Sequence, residues 1–139
     1  MDGANDGLTD SEIIGILKLK SIAVVGMSRN PGKAAHDVPR YLLEHGYDVV
    51  PINPNADRIM GLKAFASLTD IPRPVDLINI FRPSLDIPQL IESAISKNPT
   101  AIWLQLGIHH KQSEDKAREN GIKVVYDRCI KIEHGRLMV

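Results

Sequence analysis

The 139-residue sequence predicts an α/β domain: a doubly wound, five-stranded parallel sheet inside a three-layer α/β/α sandwich. Three observations predict it. Five short apolar runs, at 22–25, 48–52, 76–81, 101–105 and 122–125, carry few charges and read as continuous rather than alternating, as strands buried on both faces do. Each run is joined to the next by a segment long enough for a crossover, so right-handed connections place helices on both faces. The first run ends at Gly26 in a small polar turn before a helical pattern begins, and strand, glycine turn, helix is the opening of nucleotide-binding α/β folds.

The elements follow in order. Residues 1–8 are acidic and polar and read as a loose tail. Thr9 and Glu12 have capping-box spacing, and Ile13, Ile14, Ile16 and Leu17 supply one apolar face, which predicts a short helix over Asp10–Leu17 docked on the domain. The helix after the glycine turn contains Pro39. Proline is tolerated in a first turn, so Asp37 is the expected N-cap, with a start nearer Lys33 and a bend as the alternative. Val38, Tyr41, Leu42 and His45 share a face, and Gly46 suits the C′ position. The second strand ends at Asn53-Pro54. Residues 55–74 predict an irregular crossover with one helical turn near 67–70. After the third strand, Ser84 is the expected cap of a helix with Pro88 in its first turn and Leu90, Ile91, Ala94 and Ile95 as its buried stripe, ended by Asn98-Pro99. A polar helix near 111–120, closed by Gly121, separates the last two strands, and 127–134 predicts a short helix or turn over the sheet edge.

Composition excludes several classes. Lys+Arg and Asp+Glu both count 17, so the basic excess of a nucleic-acid binder is missing. Cys129 is the single cysteine, which excludes an internal disulfide framework and any multi-cysteine metal site; it reads as a small buried hydrophobe. No apolar run approaches the roughly 20 residues of a membrane span, and the N-terminus lacks the pattern of a signal peptide. The expectation is a soluble cytoplasmic protein with neither nucleic acid nor membrane as partner. His109 and His110 are adjacent, a spacing that does not bring two ligands onto one face. Without G-x-S-x-G, H-E-x-x-H or a paired-carboxylate signature, no catalytic constellation stands out, and the reading leans away from an enzyme.

Ligands of such sheets bind outside the carboxyl ends of the strands, where strand order reverses. That brings four segments together: 26–30, 53–54, 81–83 and 105–108. Gly26 lets backbone approach a bound group closely. Ser28 offers a hydroxyl, and Arg29 and Lys33 offer charge to a phosphate. Two familiar motifs fail. After Gly26 the next glycine is Gly32, so G-x-G-x-x-G is absent; the phosphate-loop pattern is one residue too long and has Ala34 where a hydroxyl is required. Asn53-Pro54 stands where an NAD site has an acid. Phe81 and Arg82 offer a ring and a fork of donors, evenly balanced against a core residue and a solvated charge. Gln105 could bond an amide or a ribose, or be satisfied by loop backbone.

At these residues the chain resembles the stand-alone CoA-binding domains, which are similar to the N-terminal domain of the succinyl-CoA synthetase α-subunit. The matching stretches are IAVVGMSRNPGK, YLLEHGYDVVPINPNADRIMG, SLTDIPRPVDLINIFRP, AIWLQLGI and VVYDRCIKIEH. The resemblance implies a Rossmann-like CoA-binding domain over 21–139, preceded by a tail and short helix over 1–20. It implies that Gly26, Met27, Ser28, Arg29 and Asn30 wrap the pyrophosphate, that Asn53, Pro54 and the residues just after line the adenine and 3′-phosphate side, and that Phe81, Arg82, Leu104, Gln105 and Leu106, with Gly107 beside them, complete the cleft. The synthetase has a lysine after the proline of the second loop; here Asn55 and Ala56 stand there, and Arg58 is the nearest basic residue. The synthetase's phosphohistidine lies in a domain that these 139 residues do not include. The function implied is binding of CoA or acyl-CoA, as carrier, sensor or regulator, with a homodimer or a partner enzyme as possible company. The alternatives are an NAD(P)-dependent oxidoreductase, a non-catalytic subunit of an acyl-CoA ligase, and an interaction protein with an empty pocket.

Overall fold

The computed structural model describes residues 6–139. In chain order its elements are α1 (Asp10–Leu17), β1 (Ser21–Val25), α2 (Ala34–Glu44), β2 (Asp48–Ile52), β3 (Arg58–Ile59), β4 (Leu62–Lys63), β5 (Leu77–Ile80), α3 (Ile87–Ser96), β6 (Ala101–Leu104), α4 (Lys111–Glu119), β7 (Lys123–Val125) and α5 (Ile130–Leu137). Five strands form one sheet in the order β2-β1-β5-β6-β7, every neighbouring pair parallel. The chain leaves β1 to one side for β2 and returns to its other side for β5, so strand order reverses at β1.

The predicted Rossmann-like α/β fold is the one observed. Successive strand residues point into opposite layers. Ala23, Val25, Ile78, Ile80, Ile102 and Leu104 pack with Ile87, Ile91 and Ala94 of α3 and Ala117 of α4. Ile22, Val24, Leu77 and Trp103 pack with α1, α2 and α5 through Ile13, Ile16, Leu42 and Ile130. Both faces are covered, which is why the strand sequences are mostly apolar, with Asn79 the buried polar exception among the described residues. No helix among the described residues is long and apolar enough to cross a membrane.

Three local expectations need correction. α2 begins at Ala34, at the alternative start near Lys33 and not behind an Asp37 cap; Lys33 is an N-cap that makes no side-chain bond, Pro39 lies in the helix interior, and Asp37 instead accepts the Gly32 N–H at 3.2 Å. Ser84 does not cap α3. It opens a 3₁₀ turn, Ser84–Asp86, and its hydroxyl accepts the His109 N–H at 3.2 Å. The crossover after β2 holds, besides the expected helical turn at Leu68–Asp70, a two-stranded antiparallel hairpin. Its turn residues, Met60 and Gly61, both have positive φ, 53° and 76°, the geometry a two-residue hairpin turn requires. Strands of two residues leave no periodicity to read.

The α1 capping box forms as expected, Thr9 and Glu12 bonding each other's backbone N–H. Residues 1–5 of the expected tail lie outside the described residues. Residues 6–8 are anchored: Asp6, its side chain fully buried, pairs with Arg128 at 2.7 Å, and Arg128 also holds Glu133 at 2.7 Å. Arg136 extends the network from Glu133 to Asp10. The segment before β1 is thus tied to α5 by charge as well as by packing. Breaking a buried pair strands its partner in a medium that solvates charge poorly, so Arg128→Ala is expected to cost about 3–5 kcal/mol in urea unfolding.

Burial acts to raise the Glu133 carboxyl, but hydrogen bonds from Arg136 and Arg128 outweigh it and hold the group below the ordinary glutamate value of 4.5. Its contribution to stability is complete above that value and is lost as pH falls through the lower folded one. The thermal midpoint should therefore fall as pH is lowered below about 4.5, a limb that Arg128→Ala should flatten.

Candidate functional site

At the reversal point β1 gives way to Gly26, whose φ of +84° suits glycine. A Cβ there would lie 3.1 Å from the Phe81 carbonyl oxygen and 3.1 Å from Arg82 Cδ, so the close approach of the loops after β1 and β5 depends on its absence. The Gly26 N–H donates to Ile52 O at 3.0 Å, and Asn53 Nδ2 donates to Met27 O at 2.9 Å, which stitches the β1 loop to the β2 loop.

The glycine loop is held to α2 by an unusual exchange. Pro39 has no N–H, so the Ala35 carbonyl one turn before it lacks its helical partner. The Ser28 N–H takes that place, at 2.9 Å. The His36 ring, through Nδ1–H, donates to Ser28 O at 2.9 Å. Asn30 N–H is taken by Ser28 Oγ at 3.0 Å and Gly32 N–H by Asp37. Two amides in this run, those of Met27 and Arg29, have no partner among the described residues, nor have those of Ala34 and Ala35 in the opening turn of α2. A loop fixed through alternate amides, next to the positive end of a helix, is suited to an anion.

These loops border a cleft of about 560 Å³. Val25, Gly26 and Ile52 form its inner end, and Asn53, Pro54 and Asn55 form one wall. Ala66, Ser67 and Leu68, just after the hairpin, close one side. Arg82 comes from the loop after β5, and Asp86, Gln89, Leu90 and Ser93 come from α3 and the turn before it. Arg82 donates from Nε and Nη2 to Asp86 Oδ2, at 3.1 and 2.8 Å.

Gly26, Asn53, Pro54 and Arg82 thus meet at one cleft, as the strand-end argument expects. Ser28, Arg29, Asn30 and Lys33 lie on the adjoining loop without lining it. Met27 and Leu104 are buried in opposite core layers, and Phe81 packs against the Met27 layer. Gln105 is turned into the protein, donating to Asn79 Oδ1 at 2.6 Å; Leu106 is exposed, and the Gly107 N–H is held by Asp127 at 2.7 Å. Arg58 lies on the hairpin, its guanidinium bonded to Gly61 O at 3.1 Å. Sequence reasoning missed the outer wall: Ser67, Asp86, Gln89 and Ser93. The last three are spaced three and four apart beside the buried Ile87, Ile91 and Ala94, a second helical stripe that was readable. The adjacent histidines do other work. His109 Nδ1 meets the buried Glu114 carboxylate at 2.7 Å, and His110 caps α4.

A family model described as the CoA binding domain matches residues 20–135. The chain belongs to the CoA-binding domain family. It is 36% identical over 115 residues to the uncharacterised protein YneT of Bacillus subtilis, covering 83% of this chain and 85% of that one. A hypothetical protein from Pyrococcus horikoshii OT3 superposes with a TM-score of 0.94 at 39% identity, covering 98% of this chain and 96% of that one. An ADP-forming acetate–CoA ligase of Methanocaldococcus jannaschii is 28% identical over 131 residues, which is 88% of this chain but 19% of the enzyme.

Pro39→Ala puts back an N–H that competes with Ser28 for the Ala35 carbonyl. The Ser28 amide is then expected to exchange with solvent at least about tenfold faster by NMR, with the unfolding midpoint unchanged or raised, since proline in a helix interior is unfavourable. Unchanged exchange would show that the proline does not hold the loop.

Proposed function

We propose that the protein binds coenzyme A or an acyl-CoA, with the adenosine diphosphate end in the cleft, and acts as a carrier, sensor or regulator without catalysis of its own. The observation that carries this reading is the set of unpartnered amides at Arg29 and the start of α2, on the loop that leaves the cleft at Gly26, where Arg82 packs against it. In this reading the amides take the diphosphate, Arg82 adds a charge-assisted bond, and the apolar inner surface of Val25, Ile52, Leu68 and Leu90 receives the base. Family membership supports CoA as the ligand. The matched stretch is 19% of the acetate–CoA ligase, so a similar domain also occurs as one part of a protein named for CoA chemistry.

Ligand that binds only the folded state raises stability by mass action. CoA at a hundred times its Kd is expected to add about 2.7 kcal/mol, roughly 8 °C in midpoint for a domain of this size. Arg82→Ala should weaken binding about tenfold, the worth of a hydrogen bond to a charged group. A ligand-free preparation whose midpoint does not move at millimolar CoA would refute the reading.

A further inference from the structure

The charge of the cleft narrows its ligand, and the argument rests on the CoA reading above. Among the described residues, two that line the cleft are charged, Arg82 and Asp86, and they bind each other. The lining as a whole is neutral. Basic side chains nearby are directed elsewhere: Arg58 to the Gly61 carbonyl, and Lys63 onto the Phe65 ring at 5.2 Å. Arg29 and Lys33 are exposed on the glycine loop, so in the CoA reading they stand beside the diphosphate, and neither lines the cleft that takes the base and ribose.

Both Arg82 bonds go to Asp86 Oδ2, so Oδ1 has no partner among the described residues, on a side chain that lines the cleft and is 42% exposed. The remaining polar groups of its walls, Asn53, Asn55, Ser67, Gln89 and Ser93, are neutral. A phosphate monoester brings close to two negative charges at neutral pH. Its recognition needs an arginine fork, a lysine or a cluster of free amides. The one arginine is shared with a carboxylate, and the free amides sit at the β1 loop, where a diphosphate would occupy them. A ribose hydroxyl, by contrast, can donate to Asp86 Oδ1, while a phosphate there would be repelled.

We propose that the cleft recognises the adenosine 5′-diphosphate core of its ligand and makes no use of a 3′-phosphate, so that dephospho-CoA binds at least as well as CoA. The ligand class is the adenosine 5′-diphosphate esters of pantetheine, with or without the 3′-phosphate.

Titration calorimetry of the wild-type protein with CoA and with dephospho-CoA, each at low and high salt, tests this. The expected result is dissociation constants within threefold of each other, or favouring dephospho-CoA, and parallel salt dependence, because no cation pairs with the extra phosphate. CoA bound more than threefold more tightly, or losing affinity more steeply with salt, would overturn the proposal. Binding of neither ligand would refute the CoA reading on which it rests.

Discussion

The five strands of the sheet run in one direction, so each must be re-entered from the same end by a crossover, and the crossovers cover both faces. That constraint places every carboxyl-terminal loop on one rim. The order of the strands reverses at β1, and the cleft opens at the loops after β1, β2 and β5. Gly26 is the point at which the constraint becomes local. Its positive φ and missing side chain let the Phe81-Arg82 loop come close, so the cleft's arginine is set beside the loop of free amides rather than standing away from it.

The rigidity of that loop comes from a defect in the neighbouring helix. Pro39 removes one donor from α2, and the carbonyl it abandons is satisfied by Ser28 from outside the helix. Backbone acceptors are rarely left unpaired, so a residue that weakens the helix alone contributes to order in the segment after β1. His36 and Asp37, one helical turn's worth of neighbours, add two more bonds to the same loop.

A different economy holds the termini. Asp6, Asp10, Arg128, Glu133 and Arg136 join the segment before β1 to the last helix through charges that are mostly removed from water. The network lies with the α1 and α5 layer and not at the cleft. The cleft itself keeps a single opposed pair and otherwise neutral walls.

The sequence by itself determined the sheet, the helices that cover it and three of the four segments expected at the cleft, because apolar runs, glycine and proline positions and capping residues act over a few neighbours. Thr9 and Glu12 formed the box their spacing implies, and β2 and α1 have the expected bounds. Local rules failed where a distant group supplied the missing partner. Pro39 read as a first-turn residue because proline breaks helix interiors, yet α2 starts at the alternative near Lys33 and the Ser28 amide, outside the helix, satisfies Ala35. Ser84 read as a cap, yet its partner is His109, 25 residues on. Gln105 read as available to a ligand and is instead spent on Asn79, a neighbour across strands. Which wall α3 presents, which basic side chains face away, and whether Arg82 is shared with Asp86 were decided only by the tertiary structure, because each depends on the direction of a side chain relative to an element remote in sequence.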